Sequence, residues 1–533
     1  MNTITTLGSC IGFMALVAWI SYIKTRGQTD TRAGYFLAGR GLTGVFIAGS
    51  LLLTNLSAEQ LIGLNGSAYA FNLSSMAWEV TAVFAMVIMA TVLLPRYLRG
   101  GFTTLPEFLG GRFDHRVRRL SVVLFILGYG LVTIPSVLYS GSVAVLQLFD
   151  VAGLLGVDDA SALLFTILLI GTVGGLYAVA GGLRAVAVSD TLNGVGLLAV
   201  GVLVPVLGLV KLGDGSLAAG LVKLTSEHTH KLNAIGAATD PTPFATLFTG
   251  MILANLFYWG TNQYVIQRTL GARSLAEGQK GVLLSGFFKM LIPFFMMVPG
   301  VIAYHLYGED LGSMDRAYPR LVADVLPAAL GGFFLAVLLG AVFSSFNSLL
   351  NSAATLVCVD VVGPFLKGGM SDARMIRMAR TASVVIALMS FAIAPLLQFA
   401  PEGLWQVVRK FTGFYNVPII AVVFAAFCMP RAAPAGVIAA VIFHLPVYAA
   451  VTFVWDTGLH FVHIYAVLFL IELGIIWGFS QVMPAVNARP LERPETAPVD
   501  MTPWRWTGPV CAILILAVAG VYWLFSPWGL AGS

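Results

Sequence analysis

Apolar residues in this chain come in long unbroken runs, not in the alternating stripes of a half-buried strand. Fourteen runs reach the roughly 20 residues that a helix needs to cross hydrocarbon: about 4–23, 43–68, 72–95, 119–149, 160–181, 184–211, 243–262, 277–306, 328–365, 376–400, 402–428, 431–454, 459–484 and 507–527. This predicts an all-α polytopic membrane protein of about 14 transmembrane helices in a single transmembrane domain. The longest connections are 212–242, 307–327 and 485–506. The last contains NARPLERPETAPVDMTPWR, which reads as a flexible linker because proline and charge dominate it.

Polar residues interrupt two of the runs. LLLTNLSAEQLIG (51–63) sets Thr54, Asn55, Ser57, Glu59 and Gln60 almost side by side, and LANLFYWGTNQY (253–264) carries Asn255, Gly260, Thr261, Asn262 and Gln263. An unsatisfied polar group in hydrocarbon costs several kcal/mol, so both patches must face protein, water or a ligand. The second and seventh runs stand five apart. Inverted repeats whose first helices break near the midplane have this pattern, which places repeats at about 43–211 and 243–428. Spans 4–23, 431–454, 459–484 and 507–527 are then peripheral.

In the ninth run, AVFSSFNSLLNS (341–352), Ser344, Ser345, Ser348, Asn351 and Ser352 fall within an arc of roughly 120° at helical spacing. Such a face serves either close helix packing or, beside an unwound helix, the oxygen shell of an alkali cation. Glu59, Glu79, Asp190, Lys289, Arg409 and Lys410 lie in or at the ends of spans. Glu79 and Lys289 are too deep to reach water, so they pair or contact a polar solute. Arg409 and Lys410 can reach toward the interface, and Glu402 is a possible partner for Arg409. Asp190 reads equally as a helix-end group.

Only 10% of the residues are charged, against about 25% in soluble proteins. The net charge of +5 is not a nucleic-acid footprint: loops on one side hold 22 Lys and Arg, and those on the other hold five. By the positive-inside rule the rich side is cytoplasmic and both termini lie outside. The segment MNTITTLG lacks a basic residue while Lys24 and Arg26 follow the first run, which fits an uncleaved helix. Cys10, Cys358, Cys428 and Cys511 have unrelated spacings that suggest neither disulfides nor a metal knuckle. His460 and His463 lack a third ligand and read as a helix-end pair. With no Gly-Lys-Ser/Thr, no HExxH and no nucleophile–base set, an enzyme is the least expected class. A membrane sensor or channel remains an alternative to a transporter.

The segments YFLAGR (35–40), NLSAEQLIGLNGSAYA (55–70), TLPEFLGGRF (104–113), GGLRAVAVSD (181–190), ANLFYWGTNQYVIQRTL (254–270) and SSFNSLLNSAAT (344–355) resemble the solute:sodium symporter family, specifically its sodium/sugar cotransporter branch. The similarity covers most of 35–430. It implies a LeuT-like core of two inverted five-helix repeats and sodium-coupled uptake of a sugar-like solute. A neutral hexose is favoured, with a sugar acid or polyol as the alternative. By that resemblance, sodium would be held by the carbonyls of Leu53, Leu56 and Ala341 with the hydroxyls of Ser344 and Ser345. A second sodium could use Asp190, Ser345 and Ser348. Gln60, Glu79, Asn255 and Lys289 would bind the sugar, with Glu59 nearby and Tyr258 closing over it beside Trp259. Two positions depart from the pattern: Arg409 stands where the sugar carriers have a glutamine, and Ala82 where they have a serine. A guanidinium is all donor, which keeps an acidic sugar in view. The implied setting is a cell membrane, of the bacterial inner type. Its partners there are the lipid bilayer, sodium and the solute, with no nucleic acid and no obligate protein partner.

Overall fold

Without water to satisfy it, backbone in a bilayer must bond to itself, and the computed structural model of this protein is helical accordingly. It describes residues 3–25, 31–149, 151–327, 330–363, 371–399, 404–484 and 499–532. Among these residues there is no β-strand, only isolated bridges joining Leu42 to Ala272 and Ser274 to Asp500. Among the described residues, twelve helices are long and apolar enough to cross a membrane. In chain order they form the first span (Thr3–Thr25), third (Leu73–Gly100), fourth (His115–Leu146), fifth (Asp159–Leu176), sixth (Leu183–Leu212) and eighth (Leu275–Tyr307). The ninth (Gly331–Val362), tenth (Asp372–Phe399), eleventh (Leu404–Cys428), twelfth (Pro434–Val454), thirteenth (Phe461–Val482) and fourteenth (Thr507–Leu524) follow.

The two interrupted runs are each divided in the structure. The second is a pair of helices, Gly44–Asn55 and Ala58–Ala70, bent by 61°. The seventh comprises Gly250–Leu256 and Gln263–Leu270, joined through a π-helical turn at Phe257–Thr261.

Helical bonding continues through all 54 residues of Asp159–Leu212. A straight helix of that length would be about 81 Å long, against roughly 30 Å of hydrocarbon. The chain must therefore turn back. Its two halves meet the same stretch of the ninth span, Gly174 facing Phe343 and Phe346 while Asn193 packs on Gly340. Close approach also joins the second and eighth spans: a Cβ on Gly300 would lie 2.1 Å from the Asn65 carbonyl, so only glycine fits there.

Two of the long connections carry ordered structure, the second of them against its composition. In 212–242, Leu217–Ser226 is helical, and buried Lys231 donates to the carbonyls of Tyr69 (2.8 Å) and Ala70 (3.0 Å), closing the end of Ala58–Ala70. A cation suits the negative end of a helix. Burial nonetheless pulls the Lys231 ammonium below the ordinary lysine range. In the linker, residues 485–498 lie outside the described residues, but 499–506 are not a free tether. Leu275 N–H donates to the Asp500 carbonyl (2.9 Å), and Trp504 N–H to Gln279 Oε1 (2.8 Å).

Candidate functional site

The bend in the second span starts at Leu56, whose ψ of 82° leaves the helical region. In a continued helix the Ser57 N–H would bond to the Leu53 carbonyl; here it goes to Asn55 O (2.9 Å). Ser57 then caps the next helix, its hydroxyl accepting from Gln60 N–H (3.3 Å), with Glu59 in the first turn. An N-cap serine and an acidic residue in the first turn are what a new helix start favours.

The polar face of the ninth span lies against this break. Ser345 Oγ donates to Thr54 O (3.2 Å), and the Thr54 and Ser348 hydroxyls are 3.4 Å apart. Ser344 and Ala341 are buried on the same helix, as are Leu53 and Leu56 across from it. Asp190 is no helix-end group: it is fully buried, and Ser50 Oγ donates to its carboxylate at 2.6 Å. Ser50 in turn accepts from Arg268 Nε (3.0 Å), and the Arg268 guanidinium also donates to Ser348 and to the Tyr264 carbonyl. Arg268 follows an apolar run and reads from sequence as a cytoplasmic loop cation. The structure buries it completely, between Asp190 and Ser348 of the suggested second sodium site.

Two adjoining cavities flank Tyr258. The first is lined by Gln60, Glu79, Asn255, Tyr258, Trp259, Lys289 and Arg409, with Asn55, Trp78, Ala254, Thr412, Asn416 and Tyr465. All the expected solute residues except Glu59 thus meet in one place. Glu59 lines the second cavity, with Ser345, Asn262 and again Tyr258 and Arg409. Lys289 donates to both Glu79 and Asn55, and Gln60 Nε2 donates to the other Glu79 oxygen at 2.9 Å. The Lys289 ammonium sits 5.2 Å from the Trp259 ring centre, and the Arg409 guanidinium 4.8 Å from that of Trp78. Asn255 Nδ2 donates to Thr81 Oγ1 (2.9 Å). Glu402 lies outside the described residues. Trp78, Thr81, Thr412 and Tyr465 escape a sequence reading because aromatic and hydroxyl residues are ordinary in membrane helices, and Asn416 is the lone asparagine in its run.

The second half of the seventh span is anchored by segments distant in the chain. Gln263 Oε1 accepts from Leu105 N–H (2.7 Å), and Gln267 Nε2 donates to Phe36 O (2.9 Å) and Thr355 Oγ1 (3.1 Å). Thr104 and Arg118 both hold Asp360, at 2.8 and 2.7 Å. At the π turn, Tyr97 OH donates to the Gly260 carbonyl (3.0 Å) and Tyr129 OH to Asn262 Oδ1 (2.5 Å). His460 and His463 each have a local partner: Val462 N–H donates to the first (3.4 Å), and Thr249 Oγ1 lies 2.8 Å from the second.

A helix broken at mid-membrane, opposed by a second interrupted helix and bordering a polar cavity, defines a secondary transporter. The chain belongs to the sodium:solute symporter family, whose model matches residues 35–443. It is 42% identical over 524 residues to an uncharacterized symporter of Escherichia coli, YidK, covering 98% of this chain and 91% of that one. The sodium/glucose cotransporter of Vibrio parahaemolyticus is 31% identical over 451 residues, 80% of each chain. The mouse sodium/myo-inositol cotransporter is 30% identical over 78% of this chain and 61% of its own length. The solved outward-open structure of a Na+-coupled sialic acid symporter has the same fold. Its TM-score is 0.78 at 19% identity, covering 90% of this chain and 98% of that one. This protein is therefore a multi-pass, LeuT-like, sodium-coupled solute symporter and not an enzyme.

Proposed function

We propose that the symporter imports a neutral polyhydroxylated solute, a hexose by preference, together with sodium. One observation carries this reading: Glu79 and Lys289 cancel each other's charge in the wall of the first cavity while Asn55, Gln60 and Asn255 bring amides beside them. Hydroxyls donate and accept, so paired opposite charges with amides suit a ring of hydroxyls better than an ion. The names of the glucose and myo-inositol relatives support the same class.

Sodium would bind at the break, on the carbonyls of Leu53, Leu56 and Ala341 and the hydroxyls of Ser344 and Ser345. The diverted Ser57 N–H supports this, since it bonds to Asn55 O and not to the Leu53 carbonyl. Coupling follows from sequence proximity. An ion that orders Leu53–Leu56 also orders the Ser57 cap, and the cap holds Gln60 beside Glu79. Tyr258 lines both cavities and is the ring that would close between them.

Sodium-driven counterflow of labelled hexose in proteoliposomes tests the reading, with hexuronates, hexosamines and polyols as competitors. Sodium-dependent exchange with neutral hexose as the best competitor is the expected result. Hexuronate as the best competitor, with preference moving to neutral hexose in Arg409→Gln, would assign a sugar acid instead. Absence of exchange for every solute would favour a sensor or channel.

A further inference from the structure

The eleventh span turns Arg409, Thr412 and Asn416 toward the first cavity. Three carbonyls of the same stretch are held from outside the two repeats. Tyr465 OH donates to Arg409 O (2.6 Å) and Tyr448 OH to Lys410 O (2.6 Å), and His444 Nε2 lies 3.1 Å from Gly413 O. The approach is possible only because position 413 is glycine, where a Cβ would sit 2.2 Å from the Tyr448 hydroxyl. On its other side His444 Nδ1 lies 2.6 Å from Glu472 Oε1, and both side chains are fully buried. The imidazole also stacks on the Tyr448 ring, 5.2 Å away and tilted by 10°.

Proton accounting constrains this pair. A carbonyl only accepts, so His444 Nε2 carries a hydrogen; the short Nδ1–Oε1 contact then needs a second, on the ring or on the carboxyl. The pair is neutral as a unit in either form. A buried charged pair is often no more stabilising than apolar residues of the same volume, so stability alone does not account for it. Its geometry does something an apolar pair cannot: it fixes a ring nitrogen on one carbonyl of the solute-lining helix.

We propose that His444 and Glu472 are positioning residues for solute recognition, setting through the Gly413 carbonyl the rotation and depth of the eleventh span and hence where Arg409 and Thr412 meet the solute. This rests on the first cavity being the solute site. The double variant His444→Phe/Glu472→Leu removes both polar partners and leaves no buried charge alone. It is expected to raise the KM for labelled hexose severalfold, since a misplaced binding group loses part of its interaction with the solute. Sodium half-activation should stay near wild type. Glu472→Gln, whose amide can still donate to Nδ1, should rescue the KM. A second readout needs no transport: the rate of thiol labelling of Thr412→Cys in a Cys428→Ser background, where the other cysteines, Cys10, Cys358 and Cys511, are buried. That rate should change severalfold with the double variant and return with Glu472→Gln. If the double variant does not fold, Tyr448→Phe should shift both readouts in the same direction. KM and sodium half-activation rising together, or a labelling rate indifferent to every substitution, would overturn the proposal. If the wild-type protein takes up no hexose, the solute assignment fails, and the labelling rates still decide the positioning role.

Discussion

Lys289 and Glu79 are tolerated deep in the membrane because each neutralises the other, and Asn55 and Gln60 complete their hydrogen bonds. Removing one partner strands the other, at a cost of about 3–5 kcal/mol. Lys289→Met is therefore expected to lower the melting temperature and abolish uptake, and Lys289→Met/Glu79→Gln to regain stability without regaining uptake. Thermal melts alongside transport separate the two effects. At the proposed sodium site, Ser345→Ala should raise the sodium concentration for half-activation severalfold while expression stays normal; an unchanged sodium dependence would remove the site. Glu79 and Lys289 were legible from sequence because a charge inside an apolar run stands out. Arg268 was not, since a basic residue just past such a run looks like a loop anchor. Its guanidinium already supplies positive charge near Asp190 and Ser348, so one sodium per solute is expected from flux ratios. A ratio of two would put a second ion at Asp190, Ser345 and Ser348.

At the scale of elements, both discontinuities could be read in advance because two polar clusters standing five runs apart match the pattern of repeats whose first helices are broken. Their forms could not. The second span breaks at a serine cap, whereas the seventh relaxes through a π turn whose Gly260 carbonyl is taken by Tyr97 from the third span, a partner 163 positions away in sequence. Tyr258 lies on that turn. If its ring is the closing element, Tyr258→Ala should uncouple uptake from the sodium gradient and Tyr258→Phe should be mild, since the ring face matters more than its hydroxyl. Normal transport by the alanine variant would exclude it. The ordered stretch at 499–506 was misread for a physical reason: composition records proline and charge, but not that a backbone carbonyl at Asp500 has a donor waiting at Leu275.

For the whole molecule, the all-helical, multi-pass architecture was legible because bilayer thickness sets a minimum apolar length for each span, and twelve described helices reach it, thirteen with the bent pair. The burial of Arg268 leaves the asymmetry of loop charge nearly intact, so both termini are expected on the outer side. A reporter enzyme active only outside the cytoplasm should work when fused after Ser533, and inactivity there would invert the topology.

The bend at Leu56 falls near the middle of Gly44–Ala70, and this has an electrical consequence. An ion resting there has traversed roughly half of the field across the membrane. At about 2.3 kcal/mol per elementary charge per 100 mV for the full crossing, half the distance corresponds to about 1.2 kcal/mol. Hyperpolarising the membrane by 100 mV should then increase apparent sodium affinity about sevenfold. A cell that holds its interior negative would load this carrier with voltage as well as with concentration.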